Sequence, residues 1–462
     1  MAVDRRTALL LGVPAALATL AAPGVASADP PPGTGFVPAT DLGIATTNSA
    51  ATNRASLVAA LSNSAVCVVF PPGDYPVDNT NSPSYLVISN FAGELVMLPG
   101  ARFVFGTNTA KGLIFDGGTG ARLYGLTTAF ATAPTGRVNA EECVSFLSTT
   151  DTYVENAAID GSAAAGLFFQ HCVRPTVVRT RIANTMADGL HFKNCQDPRA
   201  DQITTTDTGD DGVAFVNYAS GPANTGGLAT NISVTRSKSR GVSVVGQSGV
   251  TVRDARIDTT AGHGLYCAFE SSWSTRTPTD VCFERARVVA GGVVVGGAGG
   301  SSSGVRVSSA GTVSVAAVTV DAPGQHGVFV SQSTVTLTDV AVSNTPGSGF
   351  NLQTSTCTLD RLLADGTNGI GLTATGNARV EYGTITLRNT AKTHATHRAL
   401  NLDSNTRVFG QRAWITDTQT TATGYVVGAY GTQQGNLGTV VDLVNTPDLL
   451  IDNPSGLGYV RV

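Results

Sequence analysis

One short pattern of polar and apolar residues recurs along much of the chain. A polar or small residue is followed by Gly, an apolar residue, any residue and a second apolar residue. The copies begin with these triplets: Ala165-Gly166-Leu167, Asp188-Gly189-Leu190, Asp211-Gly212-Val213, Arg240-Gly241-Val242, His263-Gly264-Leu265, Gly291-Gly292-Val293, His326-Gly327-Val328, Ser348-Gly349-Phe350 and Ile370-Gly371-Leu372. They recur every 22 to 35 residues, most often every 22 or 23. A regular interval of this length is typical of a solenoid, whose coils each return the chain to the same corner.

The segments between these corners are rich in Val, Ile and Thr, as at 250–252 and 255–257, and lack helical spacing. Three short strands per coil predict an all-β fold, a right-handed, single-stranded parallel β-helix. A leucine-rich repeat shares the period but needs a Leu and Asn signature that is absent here. A β-sandwich needs alternation and hairpin turns rather than a regular pitch. The longer intervals predict insertions at 220–227, 270–280 and 296–304.

The pattern sets boundaries along the chain. Residues 29–52 are expected to be a linker and entry segment, and 53–392 the β-helix domain. Asn53 is expected to cap a short helix over 54–61, which would cover the open end of the solenoid. The interval is lost after 392, so 393–462 is expected to be a C-terminal cap of the same domain.

The first 28 residues have the features of an export signal. Arg5-Arg6 precedes an apolar run over 8–22, and Ala26-Ser27-Ala28 matches a small-residue cleavage site. The paired arginines favour the twin-arginine route, so the mature protein is expected to be secreted. A membrane anchor is the alternative, although the run is short for a span and no later apolar run is long enough.

The composition and charge of the chain argue against nucleic acid as a partner. The chain has 462 residues, 53 of them Gly, with 13% charged residues and a formal net charge of −4. No basic run follows the pattern of a phosphate-binding surface, so nucleic acid is not expected as a partner. No membrane contact is expected after signal removal, and the oligomeric state stays open.

Seven cysteines remain after the signal. Cys172 and Cys195 are 23 residues apart, which fits either a disulfide between coils or two buried thiols. Cys267 and Cys282 flank the 270–280 insertion, and a disulfide between them is expected to fix its base. No Cys or His spacing matches a zinc site.

Asp188 and Asp211 occupy the same position in the pattern, 23 residues apart, and Asp210 precedes Asp211. Parallel stacking at about 4.8 Å would bring the three carboxylates together. Like charges this close raise the pKa of at least one of them, which yields a proton donor beside ionised partners. Glycoside hydrolysis needs that pair of states. A calcium site, or Asp residues that merely serve turns, are the alternatives.

Two sequence stretches resemble known proteins. The motif Ala187-Asp188-Gly189, followed by Gly209-Asp210-Asp211-Gly212, resembles the catalytic core of β-helix glycoside hydrolases: α-1,3-glucanases and mycodextranases, with polygalacturonases and inverting dextranases as cousins. The turn Phe70-Pro71-Pro72-Gly73-Asp74-Tyr75 resembles the entry turn of the pectate-lyase-like superfamily. The first resemblance implies an inverting enzyme in which Asp210 donates the proton while Asp188 and Asp211 position water.

The chain departs from the polygalacturonase pattern at two points. Gly262-His263-Gly264 comes two coils after the double Asp instead of one, and the Arg-Ile-Lys motif that binds a uronate carboxylate has no counterpart. A neutral glycan is therefore the expected substrate.

Five further residues are candidates for substrate binding: His191, Lys193, Arg240, His263 and Trp273. The first two should point outward near Asp188, Arg240 shares the corner column, and Trp273 lies in an insertion. Each has a structural alternative, as a surface charge, a turn residue or a ring packed on its own coil.

Two other function classes stay open. A polysaccharide lyase or uronate epimerase would use Lys193 or Arg240 as base, with calcium as charge neutraliser. A non-catalytic glycan-binding protein would keep the groove without needing the Asp cluster. No cofactor is expected for the hydrolase, and calcium is the alternative.

Overall fold

The computed structural model describes residues 35–81, 84–392, 399–403, 405–416, 427–430, 434–442, 451–452 and 456–461. The chain divides after Met186 into two compact units. The expected export signal at 1–28 lies outside the described residues, as do parts of the expected C-terminal cap. No helix of the described chain is long and apolar enough to cross a membrane.

The described chain contains one α-helix, Ala50–Leu61, which begins earlier than the sequence predicts. Its N-cap is Ser49, whose side chain accepts the backbone N–H of Thr52 at 3.1 Å. Asn53 is instead buried inside the helix, where its amide donates to the carbonyl oxygens of Ala45 and Pro76. The expectation that Asn53 caps the helix is wrong. Its amide instead bonds the helix to the segments that contain Ala45 and Pro76.

The expected entry segment also has regular structure. The strand Val37–Pro38 pairs in parallel with Cys67–Phe70, and a short 3-10 helix, Ala39–Leu42, follows it. Leu57 and Leu61 of the α-helix are fully buried. The described part of the entry segment, residues 35–52, therefore contains a paired strand and the start of the α-helix.

The first unit consists of parallel ladders of short strands. One ladder contains Val87–Ser89, Leu113–Asp116, Val144–Leu147 and Leu167–Gln170. A second contains Cys67–Phe70, Glu94–Met97, Arg122–Tyr124, Tyr153–Glu155 and Thr176–Val178. A third contains Gly73–Val77, Ala101–Phe105, Thr127–Phe130, Ala158–Ser162 and Arg181–Thr185.

The second unit repeats this arrangement. The ladder that carries the corner motifs, here called the corner ladder, contains Leu190–Lys193, Val213–Val216, Val242–Val245, Leu265–Ala268, Val305–Ser308, Val328–Ser331, Phe350–Gln353, Leu372–Thr375, Leu400–Leu402, Val427–Ala429 and Ile451–Asp452.

The other strands of this unit begin as two ladders. They are Arg199–Asp201, Leu228–Thr230, Thr251–Arg253 and Val281–Glu284 in one, and Thr204–Thr208, Ser233–Ser237, Arg256–Thr260 and Arg287–Gly291 in the other. Longer strands then serve both positions: Thr312–Asp321, Thr334–Ser343, Thr356–Asp360 with Leu362–Asp365, Arg379–Arg388, Arg407–Thr416, Gln434–Asp442 and Gly458–Arg461. Each unit is thus a parallel β-helix, as the sequence pattern predicts.

One predicted corner is misplaced. The register pairs Leu265 with Val305, so the corner after His263 is Ser303-Gly304-Val305 and not Gly291-Gly292-Val293. Residues 291–304 instead carry a small antiparallel hairpin, Val294–Val295 with Ala298–Gly299. One long coil with two insertions therefore replaces the two coils that the sequence suggests.

Identical side chains stack inside each unit. In the first, Phe146 stacks on Phe115 at 5.0 Å and on Phe169 at 4.7 Å between ring centroids, with nearly parallel planes. In the second, Phe192 and Phe215 lie 5.2 Å apart. All five rings are fully buried. Such ladders fix the register of neighbouring coils, because a slip of one residue would turn each ring outward.

The cysteines correct one expectation. Cys267 and Cys282 carry free thiols, so the expected disulfide at the base of the 270–280 insertion is absent. Cys267 lies inside the corner ladder, whereas Cys282 is half-buried on a strand of another ladder. Cys172 and Cys195 are buried thiols, which matches the second of the two alternatives left open for them.

Candidate active site

Asp188 and Asp211 open adjacent coils of the second unit. Leu190 and Val213, which follow them, are paired in register, and the N–H of Gly189 donates to the carbonyl oxygen of Asp211 at 2.9 Å. The 23-residue spacing therefore corresponds to one coil of the β-helix, as the sequence predicts. The two acidic side chains are neighbours across one step of the corner ladder.

The turn that carries Asp210 and Asp211 is held from inside by hydroxyl groups. The buried hydroxyl of Thr208 donates to the carbonyl oxygen of Asp210 at 2.9 Å. Ser237, in the equivalent place one coil later, donates to the same oxygen at 2.5 Å. These bonds satisfy a turn carbonyl that would otherwise be buried without a partner, and they fix the backbone on which both carboxylates stand.

Glycine after the corner residue is a packing requirement. A Cβ built on Gly212 would lie 2.6 Å from Val234 and 2.7 Å from the carbonyl oxygen of Gly241, too close to be tolerated. Gly189 meets similar neighbours. The residue before the glycine is not restricted in this way, since other coils place Arg240, His263 or Ile370 there. Turn geometry alone therefore does not account for the two aspartates.

The corner side chains form hydrogen bonds to the next coil. Asp188 Oδ1 accepts the backbone N–H of Asp211 at 2.9 Å, and Asp211 Oδ1 accepts that of Arg240 at 2.9 Å. His263 accepts through Nδ1 from Ser303 at 3.0 Å, and His326 does so from Ser348 at 3.1 Å. Asp188 and Asp211 thus have a structural role that imidazoles fill elsewhere in the same column. Asp210 precedes this column and is not part of it.

The three carboxylates lie together. One oxygen each from Asp188, Asp210 and Asp211 falls within a mutual distance of 4.8 Å. Asp188 and Asp211 are buried, whereas Asp210 is half-buried. The sequence-based expectation of a three-carboxylate cluster is confirmed in its geometry.

Asp211 is the most enclosed member. Its Oδ2 accepts the hydroxyl of Ser243 at 2.5 Å and lies 3.5 Å from Nη1 of Arg240. Burial raises the pKa of this carboxyl group to about 6, with added repulsion from Asp210 and Asp188, although the Arg240 guanidinium opposes the shift. A carboxyl group whose pKa is raised by burial and by neighbouring charges is a candidate for acid–base catalysis.

Arg240 lies between two carboxylates and an aromatic ring. Its Nη2 forms an ion pair with Glu270 Oε1 at 2.5 Å, and its guanidinium carbon lies 4.4 Å from the ring centroid of Tyr266. Burial opposes the charge of Arg240, but Asp211 and Glu270 outweigh that effect and raise its pKa. Arg240 is therefore a permanent cation that balances the cluster.

His191 and Lys193 point outward beside Asp188, as their alternation predicts. His191 Nδ1 lies 2.6 Å from Asp188 Oδ2, so both oxygens of this carboxylate have hydrogen-bond partners. Lys193 Nζ lies 5.3 Å from the ring centroid of Tyr218. Burial, with repulsion from Asp188 and Glu270, raises the pKa of Tyr218 to about 12. Tyr218 therefore stays a neutral hydroxyl at the edge of the cluster.

Two insertion loops meet over this part of the corner ladder. The N–H of Ala219 donates to Ser274 at 2.8 Å, and Arg276 donates to the carbonyl oxygen of Gly221 at 2.9 Å. Beneath them, outward-facing apolar side chains form a buried cluster of Ala214, Val216, Val245, Tyr266 and Ala268, with Tyr218 packed against it. Ala214 and Tyr266 of this cluster are the register partners of Ser243, which donates to Asp211, so apolar side chains lie beside the acidic cluster.

The remaining two candidates are placed differently. His263 stacks on Tyr266 with 5.3 Å between ring centroids, next to the Arg240 stack. Burial, followed by the charges of Arg306 and Arg240, lowers the pKa of His263 to about 3. Trp273 ends a short 3-10 helix, Ser271–Trp273, and is 65% exposed. Within the described chain, no aromatic or charged group contacts its ring.

Sequence reasoning missed four residues that contact the cluster or its partners: Ser243, Glu270, Tyr218 and Tyr266. Ser243 and Tyr266 occupy the outward position of their strands that His191 occupies in its own, so the alternation held a signal for both. Glu270 and Tyr218 come from insertion loops, whose folded position no repeat pattern encodes.

Three carboxylates at this distance also have the donor chemistry for a divalent cation, since calcium prefers carboxylate oxygens. In that case Asp188, Asp210 and Asp211 would be the ligands. Arg240 works against this use, because its guanidinium already neutralises part of the negative charge on Asp211.

Comparisons with known proteins support the fold. The family described as "Right handed beta helix region" matches residues 142–301. Comparison with curated proteins gives no match.

Solved structures of similar fold include three kinds of protein. A variant catalytic domain of a GH87 alpha-1,3-glucanase in complex with nigerose is 13% identical, with a TM-score of 0.50, over 95% of this chain and 70% of that one. The family 28 exopolygalacturonase of Yersinia enterocolitica is 12% identical, with a TM-score of 0.50, over 87% and 78%. The A-module of the mannuronan C-5 epimerase AlgE6 of Azotobacter vinelandii is 14% identical, with a TM-score of 0.38, over 92% and 99%. The first two likenesses establish a right-handed parallel β-helix.

Proposed function

We propose that this protein is a secreted carbohydrate-active enzyme, an inverting glycoside hydrolase that uses Asp188, Asp210 and Asp211. The observation that carries the proposal is the meeting of three carboxylates within 4.8 Å, beside apolar side chains and the half-buried cation of Arg240. Hydrolysis of a glycosidic bond needs one carboxylic acid and one carboxylate at such a site.

Asp210 is the proposed general acid. It is the most accessible member of the cluster and the one outside the column of corner hydrogen bonds. The glycosidic oxygen of a bound glycan would take its proton as the bond to the sugar breaks.

Asp188 and Asp211 are proposed to orient and activate water. Both oxygens of each already have hydrogen-bond partners. Each carboxylate has about four lone-pair sites, so these oxygens can still accept a hydrogen bond from water. Attack by water in a single step inverts the anomeric centre. One oxygen from each carboxylate lies within 4.8 Å of the others, a closer approach than the separation of about 6.5–9.5 Å between carboxyl groups that inverting enzymes usually show.

A lyase or epimerase is the alternative reaction. It would need a base, and Arg240 is poorly suited to that role because two carboxylates keep it protonated. Lys193 would then be the base to test. A lyase produces unsaturated sugars that absorb in the ultraviolet, whereas a hydrolase produces only new reducing ends.

The test is a panel of polysaccharides read by both signals. The panel includes α-1,3-linked glucans, because a protein of this fold is solved with nigerose, together with dextran, polygalacturonate and sulfated galactans. New reducing ends without ultraviolet absorbance support the proposal. Ultraviolet-absorbing products, or no turnover of any glycan that binds, contradict it.

A further inference from the structure

The outer face of the corner ladder carries two arginines in similar surroundings. Arg240 lies over the ring of Tyr266 in the next coil at 4.4 Å. Arg306 lies over the ring of Phe329 in the next coil at 4.9 Å. His263 stacks with Tyr266, and His326 stacks with Phe329 at 5.8 Å between ring centroids. The same arrangement of a cation, a ring and a histidine thus occurs twice along one face.

The two arginines differ in their charge partners. Arg240 forms ion pairs with Asp211 and Glu270. Across the described residues, no carboxylate lies within ion-pair distance of Arg306. The Nε of Arg306 is also buried and has no hydrogen-bond partner in the described chain. The guanidinium of Arg306 therefore has donors that the described chain leaves unused.

The two histidines near Arg306 are neutral, whereas Arg306 carries a positive charge. His263 and His326 each accept a backbone N–H through Nδ1, so each ring can stay neutral while its Nε2 carries the proton. Burial, followed by the charge of Arg306, lowers the pKa of His263, and burial also lowers the pKa of His326. Arg306 is therefore the single formal charge of this arrangement, in a protein whose formal net charge is −4.

We propose that Arg306, stacked on Phe329, binds an anionic group of the substrate glycan, a carboxylate or a sulfate ester. The proposal rests on the proposed function and names its substrate class. Arg306 lies three coils beyond Asp211 along the corner ladder, at roughly 14 Å from the stacking distance. The anion would thus lie on a sugar unit beyond the one at the cleaved bond. The planar guanidinium matches both groups, and the ring beneath it fixes its orientation.

This site predicts an anionic glycan as substrate, whereas the sequence motifs predict a neutral one. The absence of an Arg-Ile-Lys motif favours a neutral glycan, but a motif search does not detect an arginine supplied by another coil. Arg306 comes after both insertions of the long coil, so its place on the corner ladder depends on the register of Leu265 with Val305.

Calorimetry in an Asp210→Asn background, which should not turn over substrate, tests the proposal. The first pair of probes is tetragalacturonate and its neutral methyl ester. The second pair is a sulfated galactan tetrasaccharide and its desulfated form. We expect one charged probe to bind on the order of tenfold to a hundredfold more tightly than its neutral partner, as for a hydrogen bond to a charged group. The pair that shows the difference identifies carboxylate or sulfate as the recognised group.

Arg306→Gln should abolish that preference while the affinity for the neutral partner stays the same. Arg256→Gln is the matched control, because Arg256 is exposed on a strand of another ladder and its loss changes the net charge equally. Arg306→Lys should keep part of the preference, since the charge remains without the planar fork. Equal affinity for charged and neutral probes, or no binding of either charged probe, would overturn the proposal. Failure of the hydrolase proposal appears separately, as binding without turnover by the parent protein.

Discussion

Asp188 Oδ1 accepts the backbone N–H of Asp211 at 2.9 Å, so one acid of the cluster holds the main chain of another. The same side chain contacts His191 through its second oxygen. The structural and the proposed chemical roles of Asp188 therefore reside in one carboxylate, and different substitutions should separate them.

Asp188→Asn should keep the hydrogen bond to Asp211, because an amide oxygen can accept it, while turnover falls. Asp188→Ala leaves the Asp211 N–H without an acceptor and should destabilise the unit by about 1–3 kcal/mol. Chemical denaturation of the three proteins, followed by circular dichroism, measures the difference. Equal unfolding midpoints for the Ala variant and the parent would show that the hydrogen bond from Asp211 to Asp188 does not stabilise the fold.

If Asp211 activates water as proposed, its pKa, raised to about 6, should set the acid limb of the pH–rate profile. Asp211 must be ionised to accept a proton from water, so kcat/KM should fall as the pH drops below about 6. A pH–rate profile at saturating buffer capacity measures this. A profile that is flat between pH 4.5 and 7 would separate Asp211 from catalysis.

The same pKa makes Asp211 costly for stability above that pH. Its folded pKa lies above the ordinary value of 3.8, so the native state binds the proton more tightly than the unfolded state. Stability is therefore lost as pH rises from about 4 to about 6, by at most about 3 kcal/mol. Asp211→Asn should raise the melting temperature at pH 8 and leave it nearly unchanged at pH 4. An equal shift at both values would contradict this assignment.

Arg240→Gln should move the acid limb of activity to higher pH. The Arg240 guanidinium opposes the upward shift of the Asp211 pKa, and its removal leaves burial and two neighbouring carboxylates to raise that pKa further. Arg236→Gln is the matched control, because Arg236 pairs with Asp207 on a strand of another ladder. The pH–rate profiles of both variants give the test, and an unchanged limb in Arg240→Gln would refute it.

Reductant should not lower the thermal stability of the protein. Cys267 and Cys282 are free thiols, and burial raises the pKa of Cys267 well above its usual range. Cys267 should therefore resist alkylation until the protein unfolds, because the thiolate is the reactive form. Mass mapping after iodoacetamide treatment, with and without denaturant, measures this. Rapid labelling of Cys267 in the folded protein would contradict the burial described here.

The regular interval between corner triplets was sufficient to predict the parallel β-helix and the proximity of Asp188 to Asp211. Those features follow from one period, which any stacked coil must obey. The position of the long coil could not be predicted, because Gly291-Gly292-Val293 and Ser303-Gly304-Val305 both fit the corner pattern. Only the pairing of Leu265 with Val305 decides between them.

Other parts of the site depend on contacts that have no period. Glu270 reaches Arg240 from an insertion loop, and Arg276 ties that loop to the one that begins at Tyr218. The helix start shows the same limit, since Ser49 and Asn53 are both good N-cap residues. The tertiary bonds of Asn53 to Ala45 and Pro76 decide which residue caps the helix.

The stereochemistry of the product tests the roles given to Asp188 and Asp211. If both orient water, the first product must have the inverted anomeric configuration. Proton NMR of the reaction in its first minutes, before mutarotation, reads this directly. Retention would mean that a carboxylate attacks the sugar, and it would contradict the roles given to Asp188 and Asp211.

The most direct test of the central claim compares Asp210→Asn with Asp207→Asn on a glycan that the parent cleaves. Asp207 lies three residues earlier, pairs with Arg236 and is outside the cluster. We expect Asp210→Asn to lower kcat/KM on the order of 10²-fold or more, with the fold and glycan binding retained, because Asn cannot donate the proton. Asp207→Asn should keep near-parent activity. Near-full turnover by Asp210→Asn, or restored activity when calcium is added to it, would contradict the proposed mechanism.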